Sequence, residues 1–163
     1  ALTDLISKIG ENIQIISYKK YDSQNSIFIN YLHNKYNSTC SKIASVVEIS
    51  TNDTKKASEI SDKLKVVAMQ VSAMKPMGLN KESLDTKVLN DEKDIILKQI
   101  ENTPDDKKEQ IVNGKLNKFI KENTLMGQAL ITDPKTTVAN YLSDLSKSNN
   151  LDLNIRSMDL YTI

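Results

Sequence analysis

The chain has 163 residues, 39% of them hydrophobic, which is enough for the core of one ordinary domain or of two small lobes. Its formal net charge is only +1 and Arg156 is its single arginine, so the composition argues against nucleic-acid binding. The lone cysteine, Cys40, excludes an intramolecular disulfide and favours a reducing compartment. No apolar run approaches the roughly 18 to 20 residues that span a bilayer, so no membrane partner is expected.

Residues 1–53 predict mainly β-strands. Residues 13–18 alternate in the manner of a partly buried strand, and residues 27–32 mix β-branched and aromatic side chains. After a loop over residues 34–39, residues 43–49 alternate again. Three short strands with tight connections indicate an antiparallel meander that is covered by helices on one face. The residues on one face of the last strand are Ile43, Ser45, Val47 and Ile49.

From residue 54 the apolar residues recur at steps of three and four, which predicts an amphipathic helix that ends before Pro76. Residues 88–100 predict a second helix. The apolar stripe of the first helix consists of Ile60, Leu64, Val67, Ala68, Val71 and Met74.

A third helix is predicted to begin at Thr103 and Pro104, with Thr103 as the capping residue and Pro104 at the first helical position. Residues 125–132 and 153–163 look extended, and residues 136–145 look helical. The inward side chains of the third helix are Ile111, Val112, Leu116, Phe119 and Ile120.

The composition changes near residue 53 without a flexible linker, which favours two lobes packed together. We therefore predict an α+β fold of two small lobes, each a short antiparallel sheet packed with helices. The sheet-rich lobe covers residues 1–53 and is incomplete at its start. The helix-rich lobe covers residues 54–163.

Few residues have catalytic potential. His33 and Cys40 are close in sequence, but the loop between them supplies no orienting acid or oxyanion donor, so a local hydrogen bond explains His33 better. One cysteine and one histidine cannot build a zinc site. The glycines never form a phosphate-binding loop. The residues themselves therefore indicate no enzyme, no metal site and no cofactor.

Six motifs follow one another along the chain. The first is Lys-Ile-Gly-Glu-Asn-Ile at positions 8–13, which is identical to a motif of a known protein family. The next are Tyr31-Leu32-His33, the strand at 42–49, Ala-Met-Gln-Val-Ser-Ala-Met-Lys-Pro at 68–76, Val-Asn-Gly-Lys-Leu-Asn-Lys-Phe at 112–119, and Gln128 with Thr137-Val138 and Leu142. In this order they resemble the elongation factor Ts family, the exchange factors for elongation factor Tu.

The resemblance implies a function in translation. Family members bind Tu in its GDP-bound or nucleotide-free form and promote GDP release by distorting the nucleotide site, with no cofactor of their own. Ile43 and Gln70 match family positions that touch the G domain of Tu, and Met69 and Met74 add adaptable apolar contacts. The alternative for both methionines is core filling, and for Gln70 a polar residue at the exposed end of a core helix.

Several departures from the family pattern separate the binding of Tu from the exchange of its nucleotide. Gln70 replaces a family histidine and so loses any pH response. The chain begins at Ala1 directly before a patterned segment, which suggests a fragment of the core. The family's N-terminal ubiquitin-associated-like domain and its Thr-Asp-Phe-Val segment have no counterpart in these 163 residues. We therefore expect the fragment to bind Tu and to be a weak exchange catalyst.

Competing interpretations are a Tu-binding module without exchange activity and, less favoured, an RNA-binding α+β domain. An enzyme ranks below both. Some family members dimerise through this core, so a homodimer stays open as a further partnership. The expected location is the bacterial cytoplasm or an organelle, either mitochondrion or plastid.

Overall fold

The computed structural model describes residues 2–163 and has an α+β architecture, as predicted. A short 3-10 turn at Lys81–Ser83 precedes the fourth helix. The six helices and three strands of this part of the chain are, in order, α1 Leu2–Ile9, β1 Ser26–Lys35, β2 Ser41–Ser50, α2 Thr54–Glu59, α3 Ser61–Met74, α4 Thr86–Gln99, α5 Asp105–Asn123, α6 Val138–Asn149 and β3 Asn154–Thr162.

The three strands form one antiparallel sheet in the order β1-β2-β3. The strands predicted at 27–32 and 43–49 are confirmed as β1 and β2, in a register that places Ile29 opposite Val47. The extended segment predicted at 153–163 is confirmed as β3, which pairs with β2. The separate sheet expected within residues 54–163 is therefore not formed in the described chain, because its strand joins the N-terminal sheet. The division at residue 53 stays a prediction.

The start of the chain is helical, which corrects the prediction of strands there. Helix α1 ends where Gly10 adopts a φ of +75° and donates its amide to the Ile6 carbonyl at 2.8 Å. None of its side chains is buried. The apolar residues of α1 recur at steps of three and four: Leu2, Leu5, Ile6 and Ile9.

The strand predicted at residues 13–18 is also absent. Ile15, Ile16 and Tyr18 are 66%, 88% and 91% exposed, so the alternation does not correspond to a buried face. The chain instead crosses the outer face of the sheet, where the Tyr21 hydroxyl donates to Asp159 at 3.0 Å. This segment alternates in sequence but does not pair with a strand, because pairing requires a neighbouring strand at hydrogen-bonding distance.

Helices α2 and α3 confirm the helix predicted from residue 54, with a break at Ile60. Asp53 caps the first turn by accepting from the Lys56 amide at 3.0 Å. The buried stripe contains Leu64, Val67 and Val71, as predicted. Helix α3 ends at Met74, and its C-cap residue Lys75, with a φ of +46°, turns the chain ahead of Pro76.

The remaining helices are confirmed with two corrections. Helix α5 begins at Asp105, and Pro104 occupies the N-cap position without a side-chain hydrogen bond, so Thr103 is not the cap. Residues 125–132 form turns and bends instead of a strand, with an isolated bridge between Ala129 and Thr137. The amides of Gly127 and Gln128 both donate to the Thr124 carbonyl, which closes a turn where the extended segment was expected. Val112 is buried in α5 as predicted, while Phe119 is only half-buried.

Buried apolar side chains form two separate cores. The larger core lies between the sheet, α2, α3 and α6, which we call the body, and includes the fully buried Val47, Leu64 and Val138. The smaller core is formed by α4, its C-cap residue Ile100 and α5, which together we call the arm. It contains Ile96, Ile100 and Val112, with Ile111 and Leu116 packed against them.

Candidate partner-binding groove

An apolar groove of about 390 Å³ lies where the end of α3 meets strands β1 and β2. Ile43 and Met69, both expected from the sequence to contact a partner, line it together. Its wall also includes Ile131, which comes from the turn region before α6. The complete lining is Tyr31, His33, Ile43, Met69, Ser72, Ala73, Lys75 and Ile131.

Strand register brings three of these side chains to the groove. Tyr31 pairs with Ser45 and His33 pairs with Ile43, so all four lie on the face of the sheet that α3 covers. Because α3 ends at Met74, it leaves Ile43 and His33 beyond its last turn incompletely covered. The groove is therefore the uncovered end of the interface between the sheet and α3.

A pair of buried hydroxyls fixes α3 on the sheet beside the groove. Ser45 on β2 donates to the Ala68 carbonyl at 2.6 Å, and Ser72 donates to the Ser45 hydroxyl at 2.9 Å. Both serines are buried, so each bond satisfies a group that would otherwise cost free energy. Sequence patterning placed Ser45 on the same strand face as Ile43, Val47 and Ile49 but did not indicate its partner, Ser72.

Gln70 is fully buried, with 0% of its surface exposed, and is not part of the groove lining. Its amide nitrogen donates to the Gln128 side-chain oxygen at 3.1 Å and to the Ala129 carbonyl at 3.0 Å. Its oxygen accepts from the Ile131 amide at 3.0 Å. Gln70 thus holds the segment that carries Ile131 into the groove, and its polar atoms do not reach the surface.

The turn after Ile131 is held by Asp133. The Thr136 hydroxyl donates to this carboxylate at 2.6 Å, and the Lys135 amide donates to it at 3.2 Å. These bonds, the hydroxyl first, lower the pKa of Asp133 below its ordinary value because they favour the charged form. The groove wall at Ile131 is therefore supported from both sides, by Gln70 and by this turn.

The whole chain, residues 1–163, matches the family model described as "Elongation factor TS". The chain belongs to the elongation factor Ts family. It is 35% identical over 144 residues to an elongation factor Ts of Alkalilimnicola ehrlichii, a match that covers 87% of this chain and 45% of that relative.

Two further elongation factor Ts relatives give the same result. One from Clostridium botulinum (strain 657 / Type Ba4) is 30% identical over 162 residues, covering 98% of this chain and 50% of the relative. One from Amoebophilus asiaticus is 33% identical over 147 residues, covering 89% and 50%. The chain therefore spans about half the length of the curated relatives it matches.

The other two residues expected from the resemblance to contact Tu, Gln70 and Met74, lie outside the groove. Met74 is 49% exposed on the last turn of α3 and does not line the groove. Of the four expected contact residues, the structure brings Ile43 and Met69 together, places Met74 nearby in sequence and buries Gln70. Sequence reasoning missed Ile131, because only the fold brings the turns after α5 beside α3.

His33 and Cys40 make separate local contacts. The Tyr31 hydroxyl lies 3.4 Å from Nδ1 of His33, and the Cys40 sulfur lies 3.8 Å from the Thr39 hydroxyl. The side chain of Asn37 accepts from the amides of Thr39 and Cys40 at 2.8 Å each, which shapes the tip of the β1–β2 hairpin. These contacts account for both residues as parts of the hairpin.

Residues 2–163 contain no group of three or more His, Cys, Asp or Glu side chains that could hold a metal ion. Within the same range, no helix is both long and apolar enough to cross a membrane.

Proposed function

We propose that this chain is the part of a translation elongation factor that binds elongation factor Tu and promotes release of its GDP. Membership of the elongation factor Ts family supports this function. The observation that carries it is the apolar groove, in which two residues matching or adjoining the family's contact positions, Ile43 and Met69, line one concave surface. The bacterial relatives favour the bacterial cytoplasm over an organelle.

The groove is suited to binding a protein side chain. Its lining includes the apolar side chains of Ile43, Met69 and Ile131, and Met69 supplies a flexible thioether that adapts to the shape of its partner. Burying such a surface against a partner removes apolar area from water, which contributes about 25 cal/mol per Å². An apolar concave surface of this kind supports a function through protein binding.

Exchange then follows from thermodynamic coupling. The factor binds the nucleotide-poor state of Tu more tightly than the GDP-bound state, so its binding weakens GDP binding by the same free energy. GDP, in turn, weakens the binding of the factor. The groove supplies part of this differential affinity, since it provides contact surface but no group that reacts with GDP.

Gln70 contributes by positioning. Its hydrogen bond to the Ile131 amide fixes one wall of the groove. A direct contact between Gln70 and Tu would require its side chain to leave three internal hydrogen bonds. Met74, which is exposed, is available for direct contact at the rim.

The test uses a fluorescent GDP analogue on Tu together with a binding titration. Met69→Glu places a charge in the groove and should weaken Tu binding at least tenfold. Met77→Glu is the matched control, because Met77 is 57% exposed and does not line the groove. Equal effects of the two substitutions, or no binding by the unsubstituted chain, would contradict the proposal.

The same measurement separates exchange from binding alone. Binding with accelerated release of the analogue supports an exchange factor whose groove-bearing core suffices. Binding without acceleration supports the second candidate, a Tu-binding module without exchange activity.

A further inference from the structure

Strand β1 is an edge strand, since the sheet order is β1-β2-β3. The Thr51 amide donates to the Asn25 carbonyl at 3.0 Å, which fixes the phase of the ladder between β1 and β2. In an antiparallel pair, the main-chain N–H and C=O groups of every second residue bond to the neighbouring strand, and those of the residues between point away from it. The main-chain groups of the odd-numbered residues of β1 therefore point to β2. Those of Phe28, Asn30 and Leu32 point to the free edge.

Helix α3 runs beside this edge and forms a trough with it. At one end, a polar pocket of about 180 Å³ lies between β1 and the start of α3. At the other end lies the apolar groove. Ser61, Lys65, Met69 and Ala73 recur every fourth residue, so one face of α3 lines both. The polar pocket is lined by Phe28, Ile29, Asn30, Ser61, Asp62 and Lys65.

We propose that an extended segment of Tu adds to β1 as a fourth strand, lying in this trough. The inference rests on the proposed function and states how the partner docks. Free N–H and C=O groups of an edge strand are a template for such addition. Side chains on one face of the added strand then enter the trough at alternate positions.

The trough also defines the chemistry of the added strand. Its polar pocket centres on Ile29 and its apolar groove on Tyr31 and His33, a separation of two to four residues, or roughly 7 to 13 Å. The segment therefore carries a polar side chain and, two or four residues away, an apolar side chain. Lys75 lines the apolar end and no acid does, so a carboxylate beside the apolar residue completes the match.

A second copy of this chain fits the trough poorly. Antiparallel pairing of two β1 edges about a two-fold axis would set the apolar end of one trough against the polar end of the other. In addition, Ile29 of β1 is buried in its own core and Ile27 packs against it, so neither side chain can fill a groove in the partner copy. The edge is therefore assigned to Tu.

The test exploits the direction of the Asn30 amide. Because this N–H points outward, Asn30→Pro removes one donor from the free edge and leaves the ladder with β2 intact. Asn30→Ala removes the same side chain and keeps the N–H, so we expect Asn30→Pro to bind Tu at least tenfold more weakly than Asn30→Ala. Circular dichroism and the thermal midpoint of both variants check that the sheet is retained.

Amide hydrogen exchange on the unsubstituted chain gives a second measurement that does not depend on any variant. In the Tu complex, the amides of Phe28, Asn30 and Leu32 should gain protection, while the odd-numbered amides of β1 change little. Binding without this protection, and with equal affinity for Asn30→Pro and Asn30→Ala, would overturn strand addition and leave the proposed function standing.

Two other outcomes also decide the matter. Absence of Tu binding by the unsubstituted chain defeats the proposed function and this inference with it. Protection of the same amides in the chain alone, rising with its concentration and lost in Asn30→Pro, would assign the edge to a homodimer and overturn the proposal.

Discussion

The body and the arm bury their apolar side chains in very different ways. The body joins the sheet to α2, α3 and α6 around one core, so residues far apart in sequence depend on one another. The arm consists of two helices with a core of three buried residues. Unfolding of a region requires the loss of its own contacts only, so the body should melt as one unit and the arm should open by itself.

The largest expected effect compares a core truncation in each region. Leu64→Ala in the body removes a fully buried side chain and should lower the free energy of unfolding by about 4 kcal/mol. Ile96→Ala in the arm should leave the main thermal transition almost unchanged and accelerate amide exchange within α4 and α5. Calorimetry and amide exchange measure the two effects, and an equal loss in the main transition would show that arm and body unfold together.

A substitution at Gln70 tests how strongly the groove wall at Ile131 depends on hydrogen bonds from α3. Gln70→Leu keeps the volume but leaves the Ala129 carbonyl and the Ile131 amide without their bonds, so we expect a loss of about 2 kcal/mol. Amide exchange at Ile131 should accelerate as well. Gln110→Leu, at an exposed position on the arm, is the control and should change little. Unchanged exchange at Ile131 would remove Gln70 from its positioning role.

The smallest effect concerns the chain segment that crosses the outer face of the body. Tyr21→Phe removes the hydroxyl that donates to Asp159 and lies 2.9 Å from the Tyr161 hydroxyl, while keeping the ring against Phe28. We expect a loss of about 1 kcal/mol at neutral pH, measured by urea denaturation.

The same substitution carries a pH signature. Burial, followed by the hydrogen bonds to Tyr161 and Asp159, raises the pKa of Tyr21 above its ordinary value of 10.0. A raised pKa means that the folded state holds the proton more tightly, so this stabilisation is complete below about pH 10 and declines as the pH rises further. Above pH 10 the unsubstituted chain should therefore lose stability more steeply than Tyr21→Phe. Parallel curves would contradict the assignment.

Local patterns in the sequence determined much of the fold. The stripe from Leu64 to Val71 predicted α3, because burying one face of a helix requires apolar residues at steps of three and four. Alternation with a period of two predicted β2 for the same reason, and a mixture of β-branched and aromatic residues predicted β1. The ordered motifs also identified the family, which the match over residues 1–163 confirms.

Tertiary structure alone decided which segments meet. Residues 13–18 and β3 both look like strands, yet only β3 pairs with β2, since a strand forms where a neighbouring edge is available and not from alternation alone. The burial of Gln70 and the arrival of Ile131 in the groove depend on residues 58 to 61 positions apart in sequence. Such contacts leave no periodic pattern in the sequence, so only the folded structure shows them.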